Sequence, residues 1–317
     1  MACITALILV LCAQADSALR EYALRESKLQ EDTPLEASLQ KLASGLRIIS
    51  QSEQTMFIVE PKTLSIEGLR SNLSSGYSIS FISGFGGYIP DTYEKELLYS
   101  ALIRIEVQGY NAGFILMDLT SGYGVAYNAD KKFYSASSIK GIYVASLAAW
   151  EPSTIYYLAD SMYATIHYSS NDDYFYLRFL YGDDPYVKWC EDAGVETPII
   201  GEWFPYFSSR TLAKLWLRNY EYFESHDEGV DEVFSHYTST QNSAIYNSLG
   251  EKYQICSKSG WIGDEEYSST VDAGIIYADG HPYLMVIMSD VPGEMDYLNP
   301  LVLALEEIHS TMPGVHS

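Results

Sequence analysis

Apolar residues recur at helical spacing at Leu35, Leu39, Leu42, Leu46 and Ile49. Thr33-Pro34-Leu35-Glu36 begins this stretch with an N-cap threonine, a first-turn proline and a glutamate that can close a capping box. From residue 51 to 88 the chain turns Ser- and Gly-rich, with short strand-like pieces at 56–59 and 77–82. Residues 93–107 carry a helical pattern. Two strands follow at 113–119 and 124–127, joined by the turn-forming Thr120-Ser121-Gly122. Residues 141–150 are apolar on nearly every side and carry no charge, which predicts a helix buried inside a domain. Helical patterns at 154–167, 173–180 and 211–223 come next. Strands return at 253–257, 271–278 and 282–288, the last two linked by the hairpin pair Asp279-Gly280. An amphipathic helix at 297–309 closes the sequence. This order predicts an α+β fold: an antiparallel five-stranded sheet flanked by helices, with a helical subdomain inserted between its strands.

An apolar run from Ile4 to Cys12, followed by Ala13-Gln14-Ala15, resembles a secretory signal peptide over residues 1–15, although the positive n-region is missing. The expected organisation is that leader, an extension of unassigned role at 16–91, and the main domain at 92–317. On this reading the protein is secreted or held at the cell surface. No stretch is long and apolar enough to predict a membrane span.

Acidic residues outnumber basic ones, 42 to 19, leaving a net charge of −23. That excludes nucleic acid and anionic lipid as expected partners, because both need a basic footprint. Removal of the leader would leave Cys190 and Cys256, enough for one disulfide and too few for a disulfide framework. The six histidines include no helical i, i+4 pair, so neither a metal nor another cofactor is expected. Tyrosine is abundant, 28 against 11 phenylalanines, and carries no functional reading by itself.

The candidate chemistry starts at Ser137-Ser138-Ile139-Lys140. On a helix, residues three apart share a face, which brings the Ser137 hydroxyl beside the Lys140 amine. Lys140 is the only charge between Ser135 and Trp150. Burial of a lone lysine favours its neutral form and makes it a usable base for a serine nucleophile. The pattern is not selective by itself, since Ser38-Leu39-Gln40-Lys41 matches it too. Two further motifs lie downstream. Ser169-Ser170-Asn171 falls between helical stretches, where it also reads as an N-cap. Lys258-Ser259-Gly260 ends a strand and precedes Trp261, where it also reads as a solvated strand end with a bulge.

Taken in order, the three motifs resemble the active site of the serine β-lactamases and penicillin-binding proteins, most closely the class A β-lactamase-like serine hydrolases. The resemblance spans residues 93–309. It implies that Ser137 forms an acyl-enzyme, that Lys140 takes its proton, and that Ser169 passes a proton to the leaving nitrogen beside Lys258. It further implies that Asn171 bonds Lys140 or the substrate amide, that Ser259 meets a substrate carboxylate, and that the backbone N–H groups of Ser137 and Trp261, after Gly260, hold the oxyanion. The implied substrate is a β-lactam or a cell-wall peptide ending in D-amino acids.

Four features depart from the family pattern. Ser170 stands where aspartate is usual, and the segment from Lys140 to Ser169 is short. No arginine lies on the strand at 272–277. No glutamate in a Glu-x-x-Leu-Asn setting occurs between Asp183 and Arg210, where Glu191, Glu196 and Glu202 are the only glutamates. The last departure implies slow deacylation. It also leaves open a catalytically silent protein of the same fold that binds cell-wall peptide or a protein partner.

Overall fold

The computed structural model describes residues 64–74, 81–196, 202–264 and 266–315. The leader at 1–15, the capped helix after Thr33, the strand-like piece at 56–59 and most of that at 77–82 lie outside the described residues. The chain divides into two compact units, Met1–Val59 and Glu60–Ser317, and all described residues belong to the second.

This unit opens with α1 (Ile66–Ser74) and the short strand β1 (Ser83–Phe85). α2 (Thr92–Glu106) starts at a capping box: Asp91 accepts from the Glu94 amide, and Glu94 accepts from the Asp91 amide, each at 2.8 Å. β2 (Ala112–Asp118), β3 (Gly124–Tyr127) and β4 (Lys132–Tyr134) lead through a single 3-10 turn, Ala136–Ser138, into α3 (Ile139–Trp150). The inserted region continues with α4 (Thr154–Tyr157), α5 (Ala159–His167), α6 (Asn171–Tyr181), α7 (Asp184–Asp192) and β5 (Tyr206–Ser208). It ends with α8 (Ser209–Phe223), α9 (Val230–Tyr237) and α10 (Ala244–Leu249). β6 (Gln254–Gly263), β7 (Ser268–Tyr277) and β8 (Tyr283–Ser289) return to the sheet, and α11 (Asn299–Thr311) closes the unit.

The main sheet runs β1-β3-β2-β8-β7-β6, and every pairing in it is antiparallel. Its central strands are buried on both faces, so they read as continuous apolar runs instead of alternating ones. Alternate residues serve two cores. Ile115, Met117, Ala273, Ile275, Leu284 and Val286 pack with α3 and α8 on one face. Phe114, Leu116, Met285 and Ile287 pack with α2 and α11 on the other. The result is an antiparallel sheet between helical layers, with α3, the helix that carries Lys140, inside the larger core.

Several expectations need correction. Among the described residues the sheet has six strands, not five, because β1 adds an edge, pairing Ser83 with Ala126 and Phe85 with Gly124. At three residues, within a Ser- and Gly-rich stretch, β1 offers too little periodicity to be read. Leu69 and Leu73 of α1 are buried in the same core as α8. Both belong to the unit that spans Glu60–Ser317. The inserted region is not wholly helical, since β4 and β5 form a separate two-stranded ribbon. Cys190 and Cys256 are both free and buried, so no bond joins them.

Candidate active site

Ser137 lies in the 3-10 turn just before α3, not within a regular helix. The residue ahead of it, Ala136, holds a left-handed backbone with φ 43°. That conformation costs an L-residue of order 1–3 kcal/mol and must be held by its surroundings. One such hold is the approach of β6 to the turn at Gly260. A methyl group at Gly260 would lie 2.5 Å from the Ser138 nitrogen, 2.6 Å from the Ser137 nitrogen and 2.7 Å from the Ser135 carbonyl oxygen. Only glycine fits there. Gly141 serves the same purpose on α3, where a methyl would sit 2.7 Å from Cβ of Lys258. These two glycines let strand and helix close around the amines of Lys140 and Lys258.

Both lysines are fully buried. Lys140 Nζ donates to the carbonyl oxygen of Ser169 and to Oδ1 of Asn171, each at 2.6 Å. The rings of Tyr174 and Phe204 lie 5.7 and 5.9 Å from it. Burial alone pulls the Lys140 amine down from the ordinary lysine range to about 7. Lys258 Nζ donates to Oγ of Ser169 at 3.0 Å and to the carbonyl oxygen of Ser259 at 2.8 Å. It too is pulled down to about 7, first by burial and then by the charge of Lys140, with Asp272 acting in the opposite direction.

Ser169 thus joins the two amines, one through its carbonyl and one through its hydroxyl. It adopts φ 59°, a second left-handed non-glycine residue at the site. Its neighbours divide the remaining work. Ser170 caps α6, accepting from the Asp173 amide at 3.2 Å and donating to the Asp173 carboxylate at 2.6 Å. Asn171 is exposed at the mouth of the site while its Oδ1 reaches inward to Lys140. The helix-cap reading and the lysine-binding reading of this motif therefore hold together, on different residues.

Hydrogen bonds bring together Lys140, Ser169, Asn171 and Lys258, and Gly260 lies against the backbone nitrogen of Ser137. Trp261, partly buried, follows Gly260 on β6, with its ring 5.9 Å from Lys258 Nζ. Ser259 is placed differently from expectation. Its hydroxyl is fully buried and has no partner, so it is not open to a substrate carboxylate. It sits directly across the β6–β7 ladder from Asp272, which puts both side chains on one face.

Asp272 belongs to the site's support, a role its sequence context did not suggest. It is fully buried, and Oδ2 accepts from Ser243 Oγ at 2.7 Å and from the Ile245 amide at 3.0 Å. Burial, outweighing those bonds and the attraction of Lys258, raises its carboxyl to about 6. A signal for it does exist: it is a lone carboxylate in a buried apolar strand, the criterion that pointed to Lys140. Tyr174 and Phe204 were also missed, since an aromatic beside a lysine leaves no sequence spacing to read. Among the described residues no group of three or more His, Cys, Asp and Glu side chains could hold a metal ion, and no helix is long and apolar enough to cross a membrane.

Comparison with known proteins agrees with this fold. Residues 146–301 match the model of the "Beta-lactamase enzyme family", a span that includes Ser169, Asn171 and Lys258 and begins after Ser137 and Lys140. A β-lactamase from Sphaerobacter thermophilus superposes with a TM-score of 0.56 at 16% identity, covering 69% of this chain and 98% of its own. A β-lactamase from Chitinophaga pinensis gives 0.57 at 16% identity, covering 68% and 98%. The protein PBP-A gives 0.54 at 19% identity, covering 67% and 96%. A comparison with curated proteins gave no match. Sheet topology, motif order and the family match over residues 146–301 point the same way: the described unit has the fold of the β-lactamases and penicillin-binding proteins.

Proposed function

We propose that the protein is a serine hydrolase that opens a β-lactam, or a D-amino-acid-type amide of cell-wall peptide, through an acyl-enzyme on Ser137. The observation that carries this reading is the bridge of Ser169 between two buried amines. A structural lysine pair has no need of this arrangement, and burying two like charges without a function is costly. In the reaction, Ser137 Oγ attacks the carbonyl carbon while neutral Lys140 takes its proton. The oxyanion rests between the N–H groups of Ser137 and Trp261, where losing one donor costs roughly 3 kcal/mol. As the carbon–nitrogen bond breaks, Ser169 gives its proton to the leaving nitrogen and is reprotonated from the Lys258 side. The ester on Ser137 remains.

Its hydrolysis is slow on this reading. The Lys140 amine is bonded by a carbonyl and an amide oxygen and faced by two aromatic rings, where a water-activating carboxylate would have to stand. Glu191, Glu196 and Glu202 are exposed, and residues 197–201, outside the described residues, contain no carboxylate. Export to the cell surface, where such substrates occur, belongs to the same proposal and rests on the leader-like residues 1–15. The test is intact mass after incubation with a fluorescent penicillin. One persistent adduct is expected on the wild type and none on Ser137→Ala. An adduct that survives Ser137→Ala, or no adduct on the wild type, overturns the reading.

A further inference from the structure

A run of aromatic rings continues outward from the Lys140 pocket. Phe204, whose ring is 5.9 Å from Lys140 Nζ, lies 6.3 Å from Tyr134 and 6.1 Å from Phe175 between ring centroids. Tyr134 meets Tyr206 at 5.4 Å and Tyr267 at 4.7 Å, and Phe175 meets Trp203 at 4.7 Å. Trp203 and Tyr206 keep 45% and 48% of their surface open to solvent. The strip thus passes from α6 to the start of β7 beside the nucleophile turn, which begins two residues after Tyr134.

Two devices hold the strip in place. Arg178, buried and paired with Asp183, donates to the Glu202 carbonyl at 3.1 Å and the Trp203 carbonyl at 3.4 Å. Its guanidinium lies 4.5 Å from the Trp203 ring, so one side chain fixes both the loop and the ring. At the other end, Ser269 Oγ donates to the Tyr134 carbonyl at 2.5 Å. Exposed aromatics fixed in this way present a preformed flat surface that loses little freedom on binding.

The charges that raise Tyr134, in the middle of the strip, are acidic. Tyr134 is held up at about 12 by burial, then by Tyr267 and Tyr206, and then by the carboxylates of Asp264 and Glu202. Both carboxylates are exposed at its border. A ring face is itself negative and attracts cations, so rings and carboxylates act together against a bound anion.

Resting on the acyl-enzyme reading above, we propose that this strip seats the acyl side chain of the substrate. It selects substrates carrying a flat aromatic group there, neutral or cationic, over substrates carrying a carboxylate.

The test uses the full chain and four penicillins with one bicyclic nucleus, followed by adduct formation against time. The 6-acetamido compound keeps the amide and lacks the ring; benzylpenicillin adds a neutral ring. Ampicillin adds an amine to that ring compound and carbenicillin a carboxylate. Acylation by benzylpenicillin and ampicillin should exceed that by the acetamido compound by about tenfold, the scale of two aromatic contacts. Carbenicillin should fall below benzylpenicillin, and Glu202→Gln should narrow that gap. In Trp203→Ala the ratio of benzylpenicillin to acetamido rates should fall toward unity. Equal rates for all four compounds, or a ratio unchanged in Trp203→Ala, overturn this inference and leave the acyl-enzyme standing. No adduct with any compound overturns the acyl-enzyme reading and this inference with it.

Discussion

Lys258 Nζ donates to Oγ of Ser169 at 3.0 Å, across 89 positions of sequence. This contact ties the sheet to the inserted helical region, and the Ser169 carbonyl extends the tie to Lys140 on α3. The hydroxyl and the backbone of Ser169 therefore do separable jobs, and substitution can separate them.

Ser169→Gly removes the hydroxyl and suits the left-handed backbone, whereas Ser169→Ala removes the hydroxyl and keeps the strain. Both variants should lose acylation by about 100-fold, the lower range for a positioned proton carrier. Ser169→Gly should unfold at the higher temperature of the two. Wild-type acylation by the glycine variant would show that the hydroxyl carries no proton.

Acylation should depend on pH through the burial of Lys140. The amine is a base only when neutral, and burial brings its pKa to about 7. The rate should therefore fall on the acid side, with a midpoint near neutrality, far below the roughly 10.4 of free lysine. Lys140→Arg keeps a charge that cannot be given up, so it should abolish acylation while leaving the far-ultraviolet spectrum unchanged. An arginine variant that acylates normally would point to Lys258 as the base.

The same shift makes a stability prediction. Between about pH 7 and about pH 10 the unfolded chain protonates Lys140 and the folded chain does not, so stability rises with pH across that window. Lys140→Met lacks the group and escapes the effect. Its stability relative to wild type, from urea unfolding, should improve steadily as pH falls from 10 to 7 and stay level below. A difference independent of pH would mean that Lys140 is charged in the native protein.

Gly260→Ala should damage the nucleophile turn directly, because the added methyl meets three backbone atoms within 2.7 Å. A cost of roughly 1–3 kcal/mol in stability is expected for such overpacking. Acylation should fall far more than stability, as the Ser137 amide is among the atoms displaced. Circular dichroism melting and adduct mass together check this, and an alanine variant that acylates at the wild-type rate contradicts it.

Much of the sheet was legible because its long strands and the Asp279-Gly280 hairpin carry strong local signals. β1 and the β4–β5 ribbon were not, since strands of three residues are specified by their partners and not by their own pattern. At the site, Lys140 stood out as a single charge in an apolar helix. Ser169 and Asn171 could be placed only by their order relative to the other motifs, because neither has a telling local context. Ser259 was misplaced in expectation because sequence does not say which face of β6 turns toward the cleft. Asp272 was passed over within the apolar stretch that surrounds it.

The paired burial of Lys140 and Lys258 bears on where protons go during a turnover. The charge of Lys140 makes Lys258 harder to protonate, and Ser169 joins the two amines, so near neutrality they act as one coupled unit. On the proposed mechanism the nucleophile's proton enters this unit at Lys140, and the leaving nitrogen draws one from it through Ser169 on the Lys258 side. The unit regains its starting charge once the bond has broken. Acylation then runs as a closed circuit within the protein, without proton exchange with bulk water between attack and departure.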